Sequence, residues 1–165
     1  NLSARQFSDD QLMKRIETVL EETGFPAKQL ELEVTESMVI DNIDSAIQTM
    51  RHIREMGIEI AIDDFGTGQS SLSYLHRFPI NSLKIDRAFI RDLSGEQEDS
   101  PIADMVIALG RALKLRVVAE GVETTEQLSY LCQAGCDELQ GYLISRPLPI
   151  DRLATFVVDH ERKSA

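Results

Sequence analysis

Apolar and polar positions along this chain follow two rhythms. Leu30, Leu32 and Val34 alternate with Glu31, Glu33 and Thr35, the period of two that marks a half-buried strand over residues 30–35. The alternation returns in Ile58, Ile60 and Ile62 against Glu59, Ala61 and Asp63, and in Leu83 and Ile85 of residues 82–86. Residues 116–120 and 138–143 complete five predicted strands. Between them the period lengthens to that of a helix. Leu12, Ile16, Val19 and Leu20 share one face of residues 8–22, with Ser8 and Gln11 predicting a capping box and Gly24 and Pro26 the stop. Ile43, Ile47, Met50 and Ile53 do the same over 43–56, closed by Gly57. Further helices are predicted over 71–77, 102–113, 125–134 (closed by Gly135) and 150–158, and the acidic, polar stretch 92–100 reads as a loop. Strands each followed by a helix imply right-handed parallel connections, hence an α/β sheet or barrel in one unit.

The chemistry gathers at the strand ends. On the non-apolar face, near each carboxyl end in turn, stand Glu33, Asp63, Lys84, Glu120 and Gln140, spaced by about one strand–helix unit each. In a parallel sheet these side chains converge where barrel and doubly wound enzymes keep their sites. Two carboxylates about 4 Å apart repel by roughly 4 kcal/mol at an effective dielectric of about 20. Glu33, Asp63, Asp64, Glu120 and Glu123 therefore need more than Lys84 as counter-charge. Oxygen donors without His or Cys select Mg²⁺ or Mn²⁺ over Zn²⁺. The adjacent Asp63 and Asp64 suit a pair of ions, an arrangement that activates water for phosphodiester cleavage. The run from Asp64 through Gly66, Thr67, Gly68, Gln69, Ser70 and Ser71 is either a plain turn or a mobile active-site loop, with Ser70 or Ser71 capping the next helix. His52, His76 and His160 read as surface or packing residues, and Cys132 and Cys136 as small core residues in a reducing compartment.

Composition narrows the partners. The chain has 165 residues, 42% of them apolar, and 28 acidic against 17 basic side chains give a formal charge of −11. An electrostatic grip on a nucleic-acid polymer or on anionic lipid needs clustered Lys and Arg, so neither is expected. No apolar run approaches the roughly 18 residues of a membrane span. A phosphate compound would need cations to offset the local carboxylates.

Six strings then acquire a common meaning. Asn1-Leu2-Ser3, Glu31-Leu32-Glu33-Val34-Thr35-Glu36-Ser37, Asp63-Asp64-Phe65-Gly66-Thr67-Gly68, Leu83-Lys84-Ile85-Asp86, Ala119-Glu120-Gly121-Val122-Glu123 and Gln140-Gly141-Tyr142 resemble the EAL-domain phosphodiesterases of bacterial cyclic di-GMP signalling. The resemblance implies a TIM-barrel-like (β/α) fold and hydrolysis of cyclic di-GMP to linear pGpG with two Mg²⁺ or Mn²⁺ ions, Ca²⁺ inhibiting. It implies Asn1, Glu33, Asp63, Asp64 and Glu120 as metal ligands, with Glu120 also handling the attacking water and Lys84 holding that water against the developing phosphate charge. Glu36 would anchor the loop after Asp64, with Glu123 and Asp86 as supporting acids near the metals. Gln140 and Pro147 would meet the substrate, Gln140 at a guanine. Gln69 stands where many relatives carry Tyr or Phe, which bears on loop packing.

The name-giving Glu-Ala-Leu triplet lies upstream of the Asn-Leu-Ser motif, and this sequence begins at Asn1. The expectation is a partial EAL domain over 1–165, with a core match to 156 and a tail over 157–165, incomplete at its amino end, binding metal poorly and inactive alone. The same resemblance implies a cytoplasmic location, a homodimer formed through helices that include 102–113, and upstream sensor or GGDEF-type (diguanylate cyclase-like) domains. Two rivals are a cyclic di-GMP receptor without catalysis and an enolase-type Mg²⁺ barrel enzyme, which does not need paired aspartates.

Overall fold

The alternating segments form one parallel sheet. A computed structural model of the chain describes residues 1–40, 42–67, 72–91, 93 and 100–164. The strands β1 (Glu31–Thr35), β2 (Glu59–Phe65), β3 (Ser82–Ile85), β4 (Arg116–Glu120) and β5 (Glu138–Gln140) lie side by side in chain order. An order without reversal keeps right-handed crossovers on one side of the sheet, as in a (β/α) barrel. A doubly wound sheet reverses instead.

Register separates the two faces. Leu32 pairs with Ile60, Val34 with Ile62, Leu83 with Val117 and Ile85 with Ala119. These side chains are buried beneath the helices, and each large one contributes roughly 1.5–3 kcal/mol. The other face carries the polar residues, Glu33 beside Ala61, and Glu120 beside Gln140. Ladder pairing slips between Ile62 and Phe65, so that β2 spends one residue more than β3 across that interval. Bulges of this kind re-aim side chains next to sites.

The helices α1 (Ala4–Phe7), α2 (Leu12–Thr23), α3 (Glu36–Ile40), α4 (Ile43–Glu55), α5 (Leu72–Leu75), α6 (Arg87–Arg91), α7 (Pro101–Leu113), α8 (Thr125–Ala134) and α9 (Ile150–Ser164) fill the connections. Several expectations are corrected. The capping box forms at Ser3 and Gln6, not at Ser8 and Gln11. Ser8 closes α1 instead, and the Asp9 carboxylate takes the Gln11 amide at 2.9 Å, so α2 starts only at Leu12. The last strand stops at Gln140 rather than 143, because the chain folds back there. Val122 donates to the Gln140 carbonyl and accepts from the Leu143 amide, both at 3.0 Å. The last helix runs on to Ser164, past the expected 158. Ser100 is buried and caps α7, with Pro101 in the first turn. The remaining positions of the expected 92–100 loop, apart from Leu93, lie outside the described residues, as do Gly68, Gln69, Ser70 and Ser71.

Cys136 is half-buried, its thiol donating to the carbonyls of Val117 and Glu138, and burial pushes its pKa up to about 11. That is an unreactive packing thiol. Cys132 is exposed, which corrects its expected place in the core. His52 and His76 are exposed as expected, and the side chain of His160 lies outside the described residues. Among the described residues no helix is long and apolar enough to cross a membrane.

At the amino-terminal end of the polar face sits a charge cluster that the strand-end reading passed over. Arg116 pairs with Glu31 at 2.7 Å, Glu59 at 2.8 Å and Glu138 at 3.6 Å, and the Ser82 hydroxyl donates to Glu31 at 2.8 Å. Burial works against the guanidinium charge, but the charges of Glu138, Glu31 and Glu59 prevail and raise its pKa. Because Arg116 is 40% exposed, the pairs are screened. Arg116→Met is expected to cost about 1–2 kcal/mol in urea unfolding at low salt. In 1 M salt the loss shrinks.

Candidate active site

Lys84 is the centre of the carboxyl-terminal end of the sheet. β3 places it on the polar face between β2 and β4, where only 6% of it is exposed. Its Nζ donates to Glu33 Oε1 at 2.5 Å and pairs with Glu120 Oε1 at 2.6 Å and Asp63 Oδ1 at 3.7 Å. Burial pushes the lysine pKa down, but hydrogen bonds to Glu120 and Glu33 and the charges of Glu120 and Asp63 outweigh it and hold the pKa above the usual range. The strand-parity reading of Glu33, Asp63, Lys84 and Glu120 as one group is therefore met in space.

Asp64 joins them by an unusual backbone. Its φ of 53° is left-handed, a region that costs a residue other than glycine about 1–3 kcal/mol and persists only where neighbours enforce it. The enforcing contacts are local: the Asp63 carboxylate accepts the Asp64 amide at 3.0 Å, and the Thr67 hydroxyl donates to the Asp64 carbonyl at 2.8 Å. Burial, a hydrogen bond shared with Asp86, and the charges of Asp63, Asp86 and Glu120 raise the Asp64 pKa above 3.8. Asp86 also caps α6 by accepting the Ala88 amide at 2.7 Å. Glu36, at the start of α3, is 6% exposed and accepts the Gly66 amide at 3.3 Å through Oε2, while its Oε1 is buried with no partner among the described residues.

The other expected site residues lie further out. The Leu2 amide donates to the Glu33 carbonyl at 2.9 Å, which sets the exposed Asn1 beside β1 at that residue. Gln140 is exposed next to Glu120 in the ladder. Glu123 is exposed and lines a cavity of about 500 Å³ with Asp86, Arg87, Arg91 and Gln127. Pro147 is exposed beyond β5. Sequence reasoning missed Thr67, whose hydroxyl bond had no pattern to announce it. It also missed the buried Gln127, which accepts the amides of Glu123 and Thr124 at 2.7 and 3.1 Å and donates to the Ile90 carbonyl at 3.1 Å. The capping-box spacing of Thr124 and Gln127 was the signal for that residue.

The donor set suits a hard cation. Glu33, Asp63, Asp64 and Glu120 offer only oxygens and outnumber the single ammonium, and burial, with the neighbouring acids Asp86, Asp63 and Glu120, raises the proton affinity of Asp64. Among the described residues no three carboxylate, imidazole or thiol groups yet surround a common point. The Lys84 ammonium stands among Glu33, Glu120 and Asp63, so holding a cation requires these carboxylates to turn part of their oxygens away from it.

A family model described as "EAL domain" matches residues 1–147. The chain belongs to the EAL domain family. Among curated relatives, "Cyclic di-GMP phosphodiesterase NbdA" of Pseudomonas aeruginosa is 46% identical over 157 residues, covering 95% of this chain and 20% of that protein. This EAL chain thus spans about a fifth of the length of that relative. The solved structure described as "PaMucR Phosphodiesterase, c-di-GMP complex" superposes with a TM-score of 0.89 at 44% identity, covering 93% of this chain and 62% of that one. A "Klebsiella pneumoniae BlrP1" manganese/cy-diGMP complex superposes at 0.77 with 34% identity, over 86% of this chain and 36% of that one. The TIM-barrel-like α/β architecture expected from the motifs is the fold of this EAL chain.

Proposed function

We propose that this EAL domain hydrolyses cyclic di-GMP to linear pGpG with two Mg²⁺ or Mn²⁺ ions. The observation that carries the reading is the buried Lys84 ammonium ringed by Glu33, Asp63 and Glu120 at the carboxyl ends of adjacent strands. The BlrP1 structures solved with manganese or calcium and cyclic di-GMP support the class of ion and ligand. Asn1, Glu33, Asp63, Asp64 and Glu120 would hold the cations. Bound there, divalent ions neutralise the phosphodiester and make a nucleophile of water near neutral pH.

The chain's own groups divide the remaining work. Glu120 accepts the proton of the attacking water. The water oxygen bonds to phosphorus and the P–O3′ bond breaks, leaving the phosphate on the 5′ oxygen while the 3′ oxygen takes up a proton. Lys84, charged throughout, stabilises the negative charge that grows on the phosphoryl oxygens. Gln140 offers a carboxamide to a guanine edge, with Pro147 against the base. Glu36 holds the turn at Gly66, and Asp86 and Glu123 support the acidic wall. The working form is a cytoplasmic homodimer using α7, whose Ile102 and Met105 are exposed. Partner domains follow the pattern of MucR, named a bifunctional diguanylate cyclase/cyclic di-GMP phosphodiesterase.

Incubation of the domain joined ahead of Asn1 to the Glu-Ala-Leu strand with cyclic di-GMP and Mn²⁺, followed by chromatography, is expected to yield pGpG, and the 165 residues alone little or none. EDTA should abolish product, added Mn²⁺ should restore it, and Ca²⁺ should not. Binding without product would instead make the domain a receptor, and neither binding nor product would overturn the reading.

A further inference from the structure

The turn that carries Asp64 rests on an apolar seat that the catalytic reading leaves unused. Gly66 has a φ of 95°, and a methyl group in place of its α-hydrogen would lie 3.1 Å from Phe89 Cε2 and 3.5 Å from Ile102 Cγ2. The Phe89 ring is thus closed against the backbone two residues beyond Asp64. Phe89 is itself fixed at both ends of its peptide. Its amide donates to the Asp86 carbonyl at 3.1 Å, and its carbonyl accepts the hydroxyl of Ser100 at 3.1 Å, the residue that caps α7. Ile102 lies in the first turn of that same helix.

Asp64 needs such a seat. Its left-handed backbone is tied by the Thr67 clasp and, through Gly66, by the Glu36 carboxylate at 3.3 Å. Both are hydrogen bonds at a site mouth where water competes. Neither bond by itself fixes Gly66, which has the widest backbone freedom of any residue. The ring and the Ile102 methyl close off the side of Gly66 that a Cβ would take. We infer that Phe89 is a positioning residue, its ring holding the Gly66 turn so that Asp64 stays turned into the acidic site, and that this contact sets how tightly the site takes a divalent cation. The inference rests on the metal-dependent reading above, and it adds to that reading a residue with no polar atom and no contact with substrate.

Two measurements test it on the domain joined ahead of Asn1 to the Glu-Ala-Leu strand, which the metal site needs. Amide hydrogen exchange reads the turn without metal or substrate, and a Mn²⁺ titration followed by paramagnetic broadening of amide signals reads cation affinity without turnover. Phe89→Ala is expected to speed exchange at Gly66 and Thr67 by about 10-fold or more while α8 amides keep their protection. It should weaken Mn²⁺ binding by about 10-fold, the size of effect seen when a residue supporting a metal ligand is lost. Phe89→Leu, which refills the seat, should return both readings to within about 3-fold of wild type. Unchanged exchange in Phe89→Ala overturns the inference, and so does faster exchange with unchanged Mn²⁺ affinity. If Phe89→Ala loosens α7 and α8 as well, Phe89→Leu decides, and a leucine variant with intact helices but an alanine-like turn overturns it. A wild-type chain that takes up no Mn²⁺ sinks the metal-dependent reading and the affinity claim with it. Equal uptake by wild type and Phe89→Ala sinks the inference alone.

Discussion

Lys84→Met is expected to lower pGpG formation by about 10³-fold, measured by chromatography at saturating Mn²⁺. Methionine keeps most of the buried stem volume, so the loss isolates the charge. In the wild type one ammonium sits 2.5 Å from Glu33 and 2.6 Å from Glu120. Without it these carboxylates lose their common donor, and in the proposed reaction the phosphoryl oxygens lose the ammonium charge. Lys84→Arg should not rescue, because a planar guanidinium cannot replace a compact ammonium in that gap. The variant should also unfold about 2 kcal/mol more easily without metal. That is less than a fully buried pair would cost, since Glu33 and Glu120 are 24% and 22% exposed. The pH dependence has a definite sign. The lysine pKa is raised above 10.5 in the fold, so its contribution is complete below that value and is lost as pH rises through the higher folded pKa. The stability gap between wild type and Lys84→Met should hold steady from pH 7 to about 10 and close only above it.

Gly141→Ala should be the most damaging added methyl among the described glycines, costing about 3 kcal/mol or more in chemical unfolding. The added carbon would run into the backbone nitrogen, carbonyl carbon and oxygen of Val122. Backbone cannot swing aside as a side chain does. The same atoms form the Val122–Gln140 and Leu143–Val122 hydrogen bonds that end β5, so relief of the clash breaks the turn and displaces Gln140 from its place beside Glu120. Gly24→Ala is the control. Nothing lies within 4 Å of the added carbon, and its only penalty is the left-handed φ of 65°, about 1 kcal/mol. A Gly141→Ala variant as stable as Gly24→Ala would show that β4 and β5 are not locked here.

What the sequence displayed and what it hid follow from the range of the forces involved. Strand parity is a local property, so the grouping of Glu33, Asp63, Lys84 and Glu120 was legible once the strands were aligned by their apolar neighbours. Arg116 was equally legible, since it shares parity with Val118 and Glu120, but it lies at the opposite end of β4 from the one being read. The helices α3 and α6, five residues each, complete too little of a 3.6-residue period to register as a pattern. Ser3 and Ser8 carry the same capping spacing, and only packing decides that the first is used. Neither the burial of Glu36 nor the hydroxyl bond of Thr67 has a sequence signature, because both depend on how the β2 turn closes over the sheet.

The register slip in β2 carries a further meaning. A regular strand shows only every second side chain to a given face, so two neighbouring aspartates on one strand would be divided between the interior of the fold and the mouth of the sheet. Between Ile62 and Phe65 the extra residue, with the left-handed turn at Asp64, sends both carboxylates to the mouth and still returns Phe65 to the buried side opposite Ile85. Deleting either aspartate would heal the ladder and leave every apolar neighbour in phase. The sheet itself gains nothing from the second acid, and the chemistry proposed for its mouth is what would use it.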